Sequence, residues 1–154
     1  MASNNLTAVP GTASGGVSEQ RKISASEAAM YRPAYHYTPP RDWLSDPNGM
    51  VYAAGVFHLC YQHDRYDAIF ENMSWGHAVS HDLLHWQERS PVVTPDTELG
   101  MCFSGCMVVD AKNSAGFGKD ALIGFYTSEL PKQQQSMIVS VDGGVTFEKY
   151  AHNP

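Results

Sequence analysis

The chain has 154 residues, enough for one domain with a real core. Its net charge of −6 and pI near 5.5 argue against nucleic acid or an anionic membrane as partner, and no apolar run is long enough for a transmembrane helix. Seventeen aromatic residues with only 17% charged residues suit an aromatic-rich β protein better than a helical bundle.

The first 30 residues are rich in Ala, Ser, Gly and Thr and read as a disordered tail, in which Ser18 to Met30 could form a weak helix. Met1–Gly16 lacks a basic start and an apolar core, so it does not read as a signal peptide, and the chain is expected to be cytoplasmic if Met1 is its native start. Cys60, Cys102 and Cys106 include no CxxC pair and read as reduced, mostly structural thiols. Asn5-Leu-Thr and Asn72-Met-Ser are glycosylation sequons, which matter only on a secreted chain.

From Tyr31 the character changes. Tyr31, Tyr35, Tyr37 and Trp43 interleave with Pro33, Pro39 and Pro40, predicting an extended aromatic arm packed on a domain at residues 31–154. Within it, Trp43-Leu44-Ser45-Asp46-Pro47-Asn48-Gly49 places a carboxylate between an aromatic ring and a turn sequence. Proline keeps Asp46 extended, and Asn-Gly favours a hairpin reversal, so Asp46 is expected just before a hairpin. A tryptophan beside a carboxylate suits a sugar: the ring packs on the pyranose or furanose face and the carboxylate meets the anomeric carbon or a hydroxyl.

Short strands follow. Met50–Ala54 and Val56–Gln62 form a hairpin about Ala54-Gly55; Met73–Ser80 and His85–Arg89 complete a first set. After a loop at Ser90–Gly100 with Pro91 and Pro95, a second set runs Phe103–Asp110, Ala121–Thr127, Ser136–Val141 and Thr146–Lys149. Ser80-His-Asp82 with Trp86 recurs 60 residues later as Ser140-Val-Asp142 with Phe147: a serine, an aspartate, a turn, then an aromatic. Asp82 and Asp142 read as turn residues accepting amide hydrogens. Repeated four-strand units predict an all-β fold, a partial β-propeller with about two four-stranded blades, whereas closure takes about four to eight.

The innermost strands of a propeller face its channel, which puts Asp46, Phe103 and Ser104 near one mouth, with Gln62 and Phe70 able to approach it. His77, His81 and His85 are four apart, but on strand, turn and strand such spacing does not converge on a metal. Glycoside cleavage needs two carboxyl groups; besides Asp46 the candidates are Asp64, Asp67, Glu71, Glu98, Asp110 and Glu129, none singled out by its context.

The stretch Tyr35 to Gly49, with Phe57-His-Leu-Cys-Tyr-Gln62, Asn72-Met-Ser-Trp-Gly-His-Ala-Val-Ser-His-Asp-Leu-Leu-His-Trp86 and Phe103-Ser104-Gly105, resembles glycoside hydrolase family 32, the β-fructofuranosidases. The resemblance covers about residues 31–154. It implies a five-bladed propeller and retaining hydrolysis of terminal β-fructofuranosides such as sucrose, inulin or levan, without metal or organic cofactor. It implies that Asp46 is the nucleophile and that Ser45, Gln62, Phe70, Phe103 and Ser104 contact the fructose or shape its pocket; Trp43, set beside the carboxylate in the sequence, joins them as a candidate substrate-binding residue. Three positions depart from the family pattern: Ser45 stands where Asn is common, Phe70 where Trp is common, and Cys106 where Ser is usual. The family's Arg-Asp-Pro and Glu-Cys motifs, which carry a transition-state-stabilising aspartate and the acid/base glutamate, do not occur in this sequence. The expectation is therefore an N-terminal portion of such an enzyme, weak or inactive alone, that takes a fructose-containing oligo- or polysaccharide. Two other readings stand beside it: a non-catalytic fructoside-binding or interaction module, and, from the Ser-x-Asp turn at Ser140, a sialidase-like or arabinanase-like propeller.

Overall fold

A computed structural model describes residues 24–154, so the expected disordered tail and the first part of the weak helix, up to residue 23, lie outside the described residues. Ala25–Met30 (α1) is helical. Ser24 caps it: the Ser24 amide and hydroxyl donate to Glu27 Oε2 at 2.9 and 3.0 Å, and the Glu27 amide donates back to Ser24 Oγ at 3.2 Å. This reciprocal capping box satisfies amides that a short helix would otherwise leave open.

Residues 33–154 form a separate, all-β unit. Its eight strands are β1 (Trp43–Ala53), β2 (Val56–Asp64), β3 (Ser74–Ser80), β4 (Trp86–Val93), β5 (Cys102–Asp110), β6 (Ala121–Ser128), β7 (Gln134–Ser140) and β8 (Glu148–Lys149). They make two four-stranded antiparallel sheets, ordered β1-β2-β3-β4 and β5-β6-β7-β8. In both sheets the turn expected from the repeat joins the third strand to the fourth. Asp82 Oδ1 accepts the Leu84 and His85 amides, and Asp142 Oδ1 accepts those of Val145 and Thr146. The Thr146 hydroxyl and amide on Asp142, and the His85 amide on Asp82, lead the hydrogen bonds that hold both carboxyls well below the usual carboxylate range.

Several strand boundaries differ from the sequence expectation. The Asp-Pro-Asn-Gly stretch is not a hairpin turn but lies inside β1, and Asp46 and Ser104 sit within the first strands of their sheets rather than before them. The chain reverses at Ala54-Gly55, as the sequence predicts, where φ values of 49° and 82° suit a tight hairpin. Two-residue bulges absorb the unusual sequence of β1: Ser45 and Asp46 together oppose Gln62, and Gly49 and Met50 together oppose Leu59. Pro91, expected in a loop, belongs to β4; that strand is an edge and its register breaks there, so no ladder bond is lost. Of the expected aromatic arm, Tyr37 packs on the first sheet, while Tyr31 and Tyr35 are exposed.

Alternation along the strands fills two cores. Cys60, Trp75, Cys102, Met107, Tyr126 and Ile138 pack between the sheets. On the other face of the first sheet, Leu59, Tyr61 and Ala78 pack with Tyr37 and Trp86. With both faces covered, every residue of β3 is buried. Cys60 and Cys102 are buried free thiols, pushed up to about 12 by burial, and Cys106 is an exposed one.

His58 and His77 lie back to back in β2 and β3. Their rings stack at 11° and His58 Nδ1 lies 3.0 Å from His77 Nε2, so one proton occupies that contact. Burial holds both imidazoles below their ordinary value, His77 at about 4. His77 is thus a core residue, while His81 and His85 are exposed on the turn that follows β3.

Candidate active site

The two sheets meet where their first strands approach. Ser104 Oγ–H donates to Asp46 Oδ2 at 2.7 Å, and the Gly105 amide donates to Asn48 Oδ1 at 3.2 Å. Both residues of the first pair stand on bulges, Asp46 opposite Gln62 and Ser104 as the extra residue between the pairs Phe103–Thr127 and Gly105–Tyr126. A bulge turns a side chain out of the ladder alternation. Here two bulges turn a carboxylate and a hydroxyl toward each other.

Ser104 is held on three sides. Trp75 Nε1–H donates to the Phe103 carbonyl at 3.0 Å, Thr127 Oγ1–H donates to the Ser104 carbonyl at 3.2 Å, and Asn48 accepts the next amide. Gly105 lets the strand approach so closely: a Cβ there would lie 1.8 Å from the Phe125 carbonyl oxygen. Gln62 is buried, and its Nε2–H donates to the Cys102 carbonyl at 3.0 Å, which ties the start of β5 to the end of β2.

Above this floor opens a cleft of about 480 Å³ lined by Ser45, Asp46, Gln62, Phe70, Phe103 and Ser104, with Thr127 of β6 and Gln133 of the loop before β7. The rings of Phe70 and Phe103 stack at 6.3 Å and 16° to make an apolar wall. Trp43 is not among the lining residues. It meets Phe70 edge-on at 6.2 Å and 77°, so it braces the wall from behind, with its indole N–H buried and unpartnered among the described residues. The six other sequence-selected residues all converge on one opening. Thr127, Gln133, Asn48 and Trp75 were not singled out by the sequence. Thr127 ends a second strand as Gln62 does, and that positional parallel could have found it.

Chemically, the cleft offers one carboxylate with a defined donor on Oδ2 and, among the described residues, no hydrogen-bond partner on Oδ1, one apolar wall, and hydroxyl and amide groups around the rim. That suits a sugar ring with one apolar face and several hydroxyls. Asp46 is the one carboxylate among the described lining residues. Of the other candidates, Asp64 is fully buried with Oδ1 accepting the Tyr66 amide, Asp110 accepts the Ser114 and Ala115 amides, and Glu129 accepts the Met101 amide.

Residues 36–154 match the family model described as the glycosyl hydrolases family 32 N-terminal domain. The chain is 48% identical over 128 residues to a levanase of Bacillus subtilis, covering 80% of this chain and 19% of the levanase. It is 40% identical over 147 residues to an extracellular exo-inulinase of Aspergillus awamori, covering 80% of this chain and 27% of that enzyme. Among solved structures, the β-fructofuranosidase of Schwanniomyces occidentalis complexed with fructosyl-erythritol superimposes with a TM-score of 0.75 at 37% identity, over 80% of this chain and 26% of that one. The chain therefore spans about a fifth to a quarter of the length of these relatives.

Proposed function

Because this chain belongs to glycosyl hydrolases family 32, through the N-terminal domain matched by residues 36–154, we propose that it supplies the nucleophile side of a site for retaining hydrolysis of terminal β-fructofuranosides such as sucrose, inulin or levan. The two sheets are then the first two blades of a five-bladed propeller, with β1 and β5 facing its channel. The observation that carries the reading is the 2.7 Å bond from Ser104 to Asp46 at the floor of the cleft. It fixes the carboxylate by one oxygen and leaves Oδ1 to attack.

In this reading the fructose ring lies on the Phe70–Phe103 wall, and Ser45, Gln62 and Ser104 meet its hydroxyls. Asp46 Oδ1 bonds to the anomeric carbon as the bond from that carbon to the leaving oxygen breaks. Retaining cleavage uses a second carboxyl group about 5–5.5 Å away to protonate that oxygen. The described cleft holds Asp46 alone, and acid–base assistance is worth about 10²–10⁴-fold. The chain by itself is therefore expected to release little fructose from sucrose.

A donor whose leaving group needs no proton bypasses the acid. With β-fructofuranosyl fluoride, fluoride departs as an anion and the fructosyl ester on Asp46 accumulates. Intact-mass spectrometry should show one added fructosyl group on the wild-type chain and none on Asp46→Asn. An adduct that persists in Asp46→Asn, or no adduct at all, refutes the nucleophile. The single carboxylate also favours a second reading, a non-catalytic fructoside-binding module. Fructose binding that survives Asp46→Ala, with no adduct from the fluoride, selects it.

A further inference from the structure

The cleft over Asp46 has a rim as well as a floor. Phe70 and Gln133 are the two described lining residues that come from loops rather than strands. The two loops are equivalent, since each joins the second strand of its sheet to the third. Phe70 contributes an aromatic ring to the apolar wall. Gln133 contributes the opposite chemistry, an amide that both donates and accepts hydrogen bonds.

The loop that carries Gln133 is tied at both ends. The Glu129 and Leu130 amides donate to the Leu99 carbonyl at 2.9 and 3.0 Å, and the Met101 amide donates to Glu129 Oε2 at 3.2 Å. Gly100 permits this close approach, because a Cβ there would lie 2.9 Å from Leu130 Cγ. At the other end, Gln134 Nε2–H donates back to the Leu130 carbonyl at 3.0 Å.

Strand pairing sets the direction of Gln133. Gln135 is the register partner of Thr127, so the two share a face; Gln133, two residues earlier, keeps that face toward the cleft that Thr127 lines. Three glutamines follow one another here, and their partners differ. Gln134 and Gln135 spend amide hydrogens on the Leu130 and Tyr126 carbonyls. Gln133 is exposed, and among the described residues its amide has no hydrogen-bond partner.

The chemistry of the fructoside reading, on which this inference rests, says what lies at that rim. Asp46 Oδ1 reaches the anomeric carbon from the floor, and the leaving oxygen departs from the opposite face of the same carbon. The leaving group therefore points out of the cleft, to where the two loops stand. We propose that Gln133 is a specificity-determining residue that holds hydroxyls of the leaving sugar. It thereby favours a fructosyl group linked to a second sugar ring over one linked to a group without hydroxyls. The amide matches a hydroxyl, which also donates and accepts.

The test compares binding of sucrose and of methyl β-D-fructofuranoside to the whole chain by NMR titration. The two ligands share the fructosyl ring and differ in the leaving group. Gln133→Ala should weaken sucrose about fivefold more than it weakens the methyl fructoside, the scale of one neutral hydrogen bond. Gln133→Glu, which keeps an acceptor and loses the donors, should fall between. Equal weakening of both ligands in Gln133→Ala, or an unmoved ratio of their affinities, overturns the proposal. The fructosyl adduct separates the two failures. If the wild-type chain binds neither ligand and forms no adduct from the fluoride, the fructoside reading fails and the role of Gln133 falls with it. If the adduct forms while the ratio stays unmoved in Gln133→Ala, the role of Gln133 alone fails.

Discussion

The first sheet has strands of 11, 9, 7 and 8 residues, the second of 9, 8, 7 and 2, and in both the same Ser-x-Asp turn joins the third strand to the fourth. Their interiors differ. The first sheet buries His58, Gln62, His63, Asp64 and His77 among its strands, while the buried polar side chains of the second are serines. The first strand of the first sheet carries two bulges, and that of the second carries one. A repeated sheet supplies the frame, and departures from its alternation supply the chemistry: Asp46 and Ser104 both stand on bulges. The cost is carried by the first sheet, where buried imidazoles and an unpartnered carboxylate oxygen of Asp64 replace apolar packing.

Glycines break this comparison most sharply. Gly105 sits at the bulge of the second sheet, where a Cβ would stand 1.8 Å from a backbone oxygen; Gly55 closes the first hairpin with nothing within 4 Å. Gly105→Ala cannot be accommodated by a side-chain movement, and a loss of roughly 4 kcal/mol or more is expected, enough to unfold the chain. Gly55→Ala meets only the strain of its φ of 82°, about 1 kcal/mol. Urea unfolding of both variants measures the contrast, and equal midpoints would show that β5 does not approach β6 as described.

The buried imidazoles give the first sheet a pH dependence that the serines of the second cannot share. His77 is held at about 4, below its ordinary value, so the unfolded chain takes up the proton first. Stability is then full above about pH 6.5, falls as pH drops and levels off below about 4, by on the order of 2–3 kcal/mol. Urea midpoints measured between pH 7 and pH 5 should show the fall before most carboxylates titrate. His77→Gln should flatten it; an unchanged slope in that variant assigns the dependence elsewhere.

A smaller effect tests the tie between the sheets. Asn48→Ala removes the acceptor of the Gly105 amide and leaves that donor unpaired, at about 1–3 kcal/mol. If the tie aligns Ser104 with Asp46, the variant should also form the fructosyl adduct more slowly than its stability loss explains. Adduct formation at the wild-type rate in folded Asn48→Ala would make Asn48 a purely structural residue.

Motifs made the residues of the cleft legible, whereas their backbone setting was not. Asp46, Gln62, Phe103 and Ser104 were selected as a group, and the structure brings them together. Asp-Pro-Asn-Gly reads as a turn because each residue locally favours one. Pairing with β2 overrides that preference by placing the extra residues in bulges, a long-range effect that no short window contains. Trp43, three residues from the carboxylate, reads as a sugar platform; the structure puts its ring behind Phe70 instead. Asn48 and Trp75 escaped notice because their partners, Gly105 and Phe103, lie far along the chain.

The finest contrast lies in the two Ser-x-Asp turns. Asp82 Oδ2 pairs with His85 Nδ1 at 2.7 Å; Asp142 Oδ2 accepts the Thr146 hydroxyl at 2.6 Å. Asp82 raises His85 above its ordinary value, first by the hydrogen bond and then by its charge. The His85 contribution is therefore present below about pH 6.5 and is lost as pH rises through its raised value, while those of both aspartates are lost as pH falls toward and below about 4. The groups are exposed, so the readout is the titration itself rather than stability. By NMR, His85 should titrate above 6.5 in the wild-type chain and return toward it in Asp82→Asn. Thr146→His places an imidazole at the matching position of the second turn and should titrate above 6.5 for the same reason. An ordinary value there would mean that the turns share a sequence pattern without sharing the carboxylate geometry that makes it work.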